Sequence, residues 1–257
     1  MTLSVMLRLS GHTPSHPPID RCEYPMKNPL QQFKFWKRPG SAEQDSSATM
    51  GAPRAAVPVH PTFPTSILKD FIAGMNRKTN PVVLDIGPVI GSNIEFFLNL
   101  GVKIYMEEFL AAYANPNYTT LVDDKVTLDD RKFFSENFDY ADNFFDGLIC
   151  WDFLSYLEPK FAKTFAERIS AKMKPDSLIL GFFHTQKREG PVPLYKYRIS
   201  SESLLEYVPL GQPMEIKKVY QTRDVTQLFS GYESQRFYLL KHSMLEVLLK
   251  KRAASLP

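Results

Sequence analysis

Asp85, Gly87 and Gly91 follow one another at the end of a short apolar run, and Glu107 and Glu108 arrive 22 and 23 residues after Asp85. A nucleoside cofactor needs such a set. Glycines let the backbone approach it, and a carboxylate at the end of the next strand holds a ribose diol through two acceptor oxygens. A glycine pair four apart also makes an ordinary tight turn, and Glu107 can simply solvate a strand end, so the pattern gains meaning only from its surroundings. Further along, Asp152 and His184 each close an apolar segment. Both residue types can accept a proton from a reacting group. Their ordinary roles are loop orientation for Asp152 and a strand-end hydrogen bond for His184.

The elements that must position these residues can be read from hydrophobic periodicity. Val82 to Ile86 form a β-branched run of the kind a parallel sheet buries on both faces. Ile94, Phe97 and Leu98 recur at helical spacing, and Val102 to Met106 return to strand character. Ser66 has the type and place of an N-cap for the helix ILKDFIAGM ahead of this unit. A second unit starts with a strand from Gly147 to Trp151. Pro159 then opens a helix whose stripe is Phe161, Phe165, Ile169 and Met173, Lys174-Pro175-Asp176 ends it, and Ser177 to Phe183 form the next strand. Strand, helix and strand again imply a parallel crossover. Between the units, LAAYANPNYTTLVDDKVTLDDRKFFSEN predicts one short helix and a loop. Residues 190–210 read as an insertion with an alternating strand, Tyr195 to Ile199, and a short helix. MEIKKVYQ is strand-like, VTQLFSGY is a helix stopped by Gly231, SQRFYLLKH is a strand, and MLEVLLKKR is a strand or a helix. Two closely spaced elements at the end predict an antiparallel finish to the sheet.

Composition sets bounds on function. With 44% apolar and 23% charged residues in 257, the chain has the make-up of one globular domain plus a tail. Half of the twenty prolines fall in the first 64 residues. Residues 1–60 therefore read as a disordered Pro/Ser-rich tail and 61–257 as the folded domain. Within the tail, Leu30 to Arg38 (LQQFKFWKR) is an aromatic and basic clump that suits packing on its own domain. The whole +3 charge resides in the first 60 residues, so the folded body is balanced and offers no reason to expect nucleic acid as a partner. No apolar run reaches membrane-spanning length. Cys22 and Cys150 are the only cysteines, which argues against a disulfide framework and makes the cytoplasm the expected compartment. Cys150 falls in a predicted core strand and suits packing better than nucleophilic attack. His12, His16 and His60 lack partners at ligand spacing, and no metal site is expected.

The order of these elements resembles the class I S-adenosylmethionine-dependent methyltransferases over about residues 64–252. The family's first motif is matched by VVLDIGPVIG, its second by Glu107 with Glu108 as the register alternative, and its fourth by FDGLICWDFLSYL. The resemblance implies an α/β fold with a Rossmann-like sheet, mostly parallel with an antiparallel C-terminal strand and helices on both faces. It implies S-adenosylmethionine as cofactor. Asp85, Gly87 and Gly91 would shape the turn beside its methionine part, and Glu107 or Glu108 would hold the ribose. Asn137 or Asp139, following a third strand, would lie near the adenine, and Trp151 and Asp152 would stand at the cofactor's edge. Asp152 and His184 are the candidate catalytic residues, and Tyr195, Tyr197 and Arg198 are candidates to line an acceptor pocket. The chain departs from the family pattern at Val89, where the middle glycine of the turn would sit, and Pro88 removes a backbone donor. It also lacks the Asn-Pro-Pro-aromatic signature of enzymes that methylate base amino groups. The implied function is methyl transfer to a small-molecule acceptor. Its rival is a methyltransferase-like scaffold without catalysis, which Val89 and the lack of a clear base favour. A nicotinamide-dependent oxidoreductase would require Gly-x-Gly-x-x-Gly after the first strand, and the chain does not have it.

Overall fold

A computed structural model of the chain describes residues 5–8, 60–122, 125–211, 213–240 and 243–253. The sequence supplies two long apolar stretches buried on both faces, and these form the centre of a seven-stranded sheet. In chain order its members are β1 (Val5–Arg8), β3 (Val82–Asp85), β4 (Lys103–Glu107), β7 (Phe145–Ile149), β8 (Met173–His184), β11 (Tyr232–Leu240) and β12 (Met244–Lys251). Their order across the sheet is β1-β4-β3-β7-β8-β12-β11. The first five run parallel, and β12 is antiparallel to both β8 and β11. This is the mostly parallel sheet with an antiparallel finish that the sequence predicts, and it resolves MLEVLLKKR as a strand.

Helices cover both faces. On one side α1 (Leu68–Asn76) and α2 (Gly91–Asn99) bury Phe71, Ile72, Ile94 and Phe97. On the other, α3 (Phe109–Tyr113), α4 (Asp130–Asn137), α5 (Pro159–Lys172) and α6 (Thr222–Leu228) build an aromatic core. Phe109 is the centre of that core: its ring centroid lies 5.1, 4.8 and 5.0 Å from those of Phe133, Phe153 and Phe165. A fully buried phenylalanine contributes about 1.5–3 kcal/mol, so this ring fixes the start of α3 and with it the preceding Glu108.

Several local expectations are corrected. The segment after Tyr195–Ile199 is not a helix. β9 (Tyr195–Ser201) and β10 (Leu204–Pro209) pair as an antiparallel hairpin, and β2 (Thr62–Pro64) joins β10 as a third strand. MEIKKVYQ forms no strand beyond a bridge of Met214 to Val192. The helix cap is not Ser66: the N-cap is Ile67, with Thr65 Oγ1 accepting from Leu68 N at 3.3 Å. Between β4 and β7 no described strand joins the seven-stranded sheet. That stretch carries α3, a hairpin of β5 (Thr119–Val122) and β6 (Lys125–Leu128), and α4. The edge place beside β4 is taken by β1, from the segment that composition marks as a tail. The aromatic clump 30–38 lies outside the described residues.

The start of α1 depends on a carboxylate from the far end of the chain. Glu246 of β12, fully buried, accepts from Thr65 Oγ1, from Ser66 N at 3.2 Å and from Ile67 N at 3.4 Å. It thereby satisfies donors that α1 leaves open and places negative charge at the positive end of the helix dipole. Burial raises its pKa above the usual carboxylate range. Glu246→Gln should lower stability by about 1–3 kcal/mol, because the new amide turns a donor toward backbone donors. Urea denaturation at neutral pH checks this, and an unchanged midpoint would count against the cap.

Candidate cofactor and acceptor site

The chain runs from β3 outward to β4 and later returns to β7 on the other side of β3. At such a switch point the loops diverge and leave a crevice outside the carboxyl ends of the strands. A cavity of about 120 Å³ lies there. Its walls include Ile86, Gly87, Glu108, Trp151, Asp152 and Tyr197, together with Phe109, Leu194, Tyr195 and Leu210. The sheet is Rossmann-like, mostly parallel with an antiparallel last pair, the form that the resemblance to the class I methyltransferases implies.

Asp85 ends β3 and is buried. Its Oδ1 accepts from Gly87 N at 2.9 Å and from the Trp151 indole Nε1 at 2.7 Å, while Oδ2 has no partner among the described residues. Loss of water around the carboxylate pushes its pKa up to about 7, and the two hydrogen bonds only partly oppose this. Gly87 is required by space. A Cβ there would fall 2.6 Å from Trp151 Cδ1 and 2.7 Å from Nε1. Trp151 itself has φ 44°, a left-handed conformation that is strained for a bulky residue. The turn after β7 holds it there. Its ring lies parallel to Tyr197 (centroids 5.1 Å apart, 7°) and to Phe182 (6.0 Å, 7°).

The two acidic candidates after β4 separate. Glu107 is not in the cavity wall and accepts from the Tyr140 hydroxyl. Glu108 lines the cavity, with Oε1 3.4 Å from Val89 N. Gly91 opens α2 and is not in the cavity wall. Asn137 and Asp139 are also absent from that wall: Asn137 donates its amide back to the Phe133 carbonyl at 2.8 Å, and Asp139 is exposed in the loop after α4.

Asp152 is brought together with His184 by a residue the sequence reading passed over. The Tyr156 hydroxyl donates to Asp152 Oδ2 at 3.2 Å and lies 3.0 Å from His184 Nε2, and His184 Nε2 is 3.5 Å from the same carboxylate oxygen. Burial, and then Asp152, raises the Tyr156 pKa far above its ordinary value, so the phenol stays neutral. Tyr156 follows Asp152 by four residues in a short 3₁₀ turn (Phe153–Tyr156). That spacing is the signal that could have found it. The Tyr197 hydroxyl lies beside Asp152, and burial followed by that carboxylate raises its pKa well above the ordinary value. Arg198 is not in the cavity and pairs with Glu206 at 2.9 Å.

A second missed residue is Asn93, buried on the apolar stripe of α2. Its amide donates to the Tyr197 carbonyl and accepts from Ile199 N, both at 2.8 Å. It thereby fastens β9 over the cavity. Cys150 is fully buried, and desolvation pushes its thiol pKa far up, which suits core packing. Among the described residues no cluster of three or more His, Cys, Asp or Glu could hold a metal, and no helix is long and apolar enough to cross a membrane.

No protein-family model matches the chain, and no curated protein matches it in sequence. Solved structures similar to it include an S-adenosylmethionine-dependent methyltransferase from Mesorhizobium loti, at 11% identity, 72% of this chain, 95% of that chain and TM-score 0.45. Another, from Clostridium acetobutylicum, gives 13%, 72%, 91% and 0.43. A third is the 1,6-didemethyltoxoflavin-N1-methyltransferase of Burkholderia thailandensis with bound 1,6-didemethyltoxoflavin and S-adenosylhomocysteine, at 15%, 73%, 79% and 0.42.

The buried Asp85 gives a pH test. Its pKa is about 7 when folded against an ordinary 3.8, so the folded state holds the proton more tightly than the unfolded chain. Its stabilising contribution is present below pH 4 and is lost as pH rises through 7. Asp85→Asn lacks this dependence. Relative to wild type it should therefore gain about 2–3 kcal/mol between pH 5 and pH 8. Urea titrations at the two pH values read the difference, and parallel behaviour of the two proteins would contradict a proton on Asp85.

Proposed function

We propose that this protein is an S-adenosylmethionine-dependent methyltransferase acting on a small-molecule acceptor. The observation that carries the reading is the cavity at the sheet's switch point, bounded by a glycine turn on one side and the Glu108 carboxylate on the other. The residues present fit the cofactor. Glu108 would accept the ribose hydroxyls, and Gly87 keeps the turn free of a side chain. The backbone around Val89 and Ile90, leading into α2, would approach the amino-acid end. The bound cofactor supplies an electrophilic methyl group, so the protein needs mainly to align an acceptor and to take a proton from it.

Asp152 is suited to the proton, since it lines the cavity. Tyr156 orients that carboxylate and links it to His184. The cavity, at about 120 Å³, is smaller than a cofactor-sized site of roughly 300 Å³ or more. Binding therefore requires the glycine turn, Trp151 and β9 to part. The balanced charge of residues 61–257 supports a small-molecule acceptor over nucleic acid.

Calorimetric titration of the full chain with S-adenosylmethionine and S-adenosylhomocysteine tests the reading. Micromolar binding is expected, weakened about 10- to 100-fold by Glu108→Gln through the loss of hydrogen bonds to a buried diol. Absence of binding at millimolar ligand by folded protein would leave the non-catalytic scaffold. Trp151 offers a second readout. In a Trp36→Phe background it is the only tryptophan, and its emission should shift as ligand displaces the ring from Asp85.

A further inference from the structure

We infer that the Trp151 side chain is an autoinhibitory latch: it fills the opening at Gly87 that the cofactor needs, and it swings out before the cofactor enters. This rests on the methyltransferase reading of the site and deepens it by naming the part that moves. The turn after β3 carries glycine where a cofactor would approach the backbone, yet the space beside that glycine is taken. An added Cβ at Gly87 would fall 2.6 Å from Trp151 Cδ1 and 2.7 Å from Nε1. Both residues line the same cavity. Indole and cofactor therefore compete for one opening.

The backbone that presents the ring is held for this purpose. Among the described residues the other non-glycine positions with positive φ are Asn80, Asn143, Asp176 and Ser243, all small and polar. Tryptophan is the outlier, and such conformations concentrate at clamps and switches. Sheet bonds fix it from both sides. Cys150 N donates to the Leu180 carbonyl at 2.8 Å, and Phe182 N donates to the Trp151 carbonyl at 2.8 Å. The indole is thereby aimed across the end of β3 at Asp85.

The other walls are tied down more firmly than the ring. β9 is bound to α2 by the two Asn93 hydrogen bonds of 2.8 Å and pairs with β10 along its length. Ile86 N donates to the Ile149 carbonyl at 3.0 Å, which joins the glycine turn to β7. The indole has one hydrogen bond, to Asp85 at 2.7 Å, and parallel ring contacts with Tyr197 and Phe182. Rotation about its side-chain bonds breaks that one hydrogen bond and leaves every backbone pairing in place. Trp151 is thus the element that opens, and Gly87 and β9 stay where they are.

Trp151→Phe tests the latch, because phenylalanine keeps an aromatic ring and removes the N–H that binds Asp85. Calorimetry on the full chain should show S-adenosylhomocysteine binding about three- to tenfold more tightly to the variant than to wild type. Equal or weaker binding by the folded variant would overturn the latch while the methyltransferase reading stands. A second measurement leaves residue 151 unchanged. In a Trp36→Phe background the Trp151 indole N–H is the only one, and its hydrogen exchange can be followed by NMR. Saturating S-adenosylhomocysteine should speed that exchange at least about tenfold, since the ring leaves its buried bond. Unchanged or slower exchange with the ligand bound would count against the latch, and this measurement decides if Trp151→Phe does not fold. Failure of S-adenosylhomocysteine to bind any of these proteins would overturn the methyltransferase reading and the latch together.

Discussion

The Asp85 carboxylate is the constraint around which the site is arranged. It sits at the apolar end of a parallel strand, where an ion without partners would cost several kcal/mol. Two donors meet it, the Gly87 amide and the Trp151 indole, and each comes at a structural cost. The amide requires the chain to turn back sharply after β3. The indole requires Trp151 to adopt a left-handed backbone and to lie so close that only glycine fits at 87. Carboxylate, glycine and tryptophan are therefore one unit, although 66 residues separate its ends. The second oxygen has no partner among the described residues, and burial raises the pKa of the carboxyl.

From that unit the rest of the cavity follows by packing. The indole lies parallel to Tyr197 and Phe182, which are also parallel to each other, so β9 is packed beside the turn, and Asn93 binds its backbone to α2 at two points. On the other side Phe109 sinks into the aromatic core and leaves Glu108 facing inward. β9 and β10 extend to β2, which leads directly into Thr65 and the Glu246 cap on α1. The hairpin covering the cavity is thus continuous with the anchor of the first helix.

Much of this was legible from residue order. Asp85, Gly87, the parallel units and the antiparallel finish are local signals, since strand and helix periodicity need only near neighbours. Val89 is not in the cavity wall, and its amide donates to Glu108. The short helix expected after Tyr195–Ile199 is instead the strand β10, because SSESLLEY has helical formers whereas pairing with β9 and β2 decides its state. β1 was hidden for the same reason. Four residues in a proline-rich segment carry no strand signal of their own, and they become a strand by lying along the open edge of β4.

What the sequence determined by itself is the set of chemical groups and their place at the carboxyl ends of strands. Hydrophobic period fixes which residues lie in the sheet, and chain order fixes where the glycine turn and the acidic residues fall. The tertiary structure decided which groups face one another. It turned Glu108 inward and Glu107 toward Tyr140, laid Trp151 over Gly87, and joined Asp152 to His184 through Tyr156. These choices depend on packing between segments far apart in the chain, on one-residue register at a strand end and on the hand of a single turn. Local propensity carries none of that information, because each alternative satisfies the same backbone equally well until the neighbouring side chains arrive.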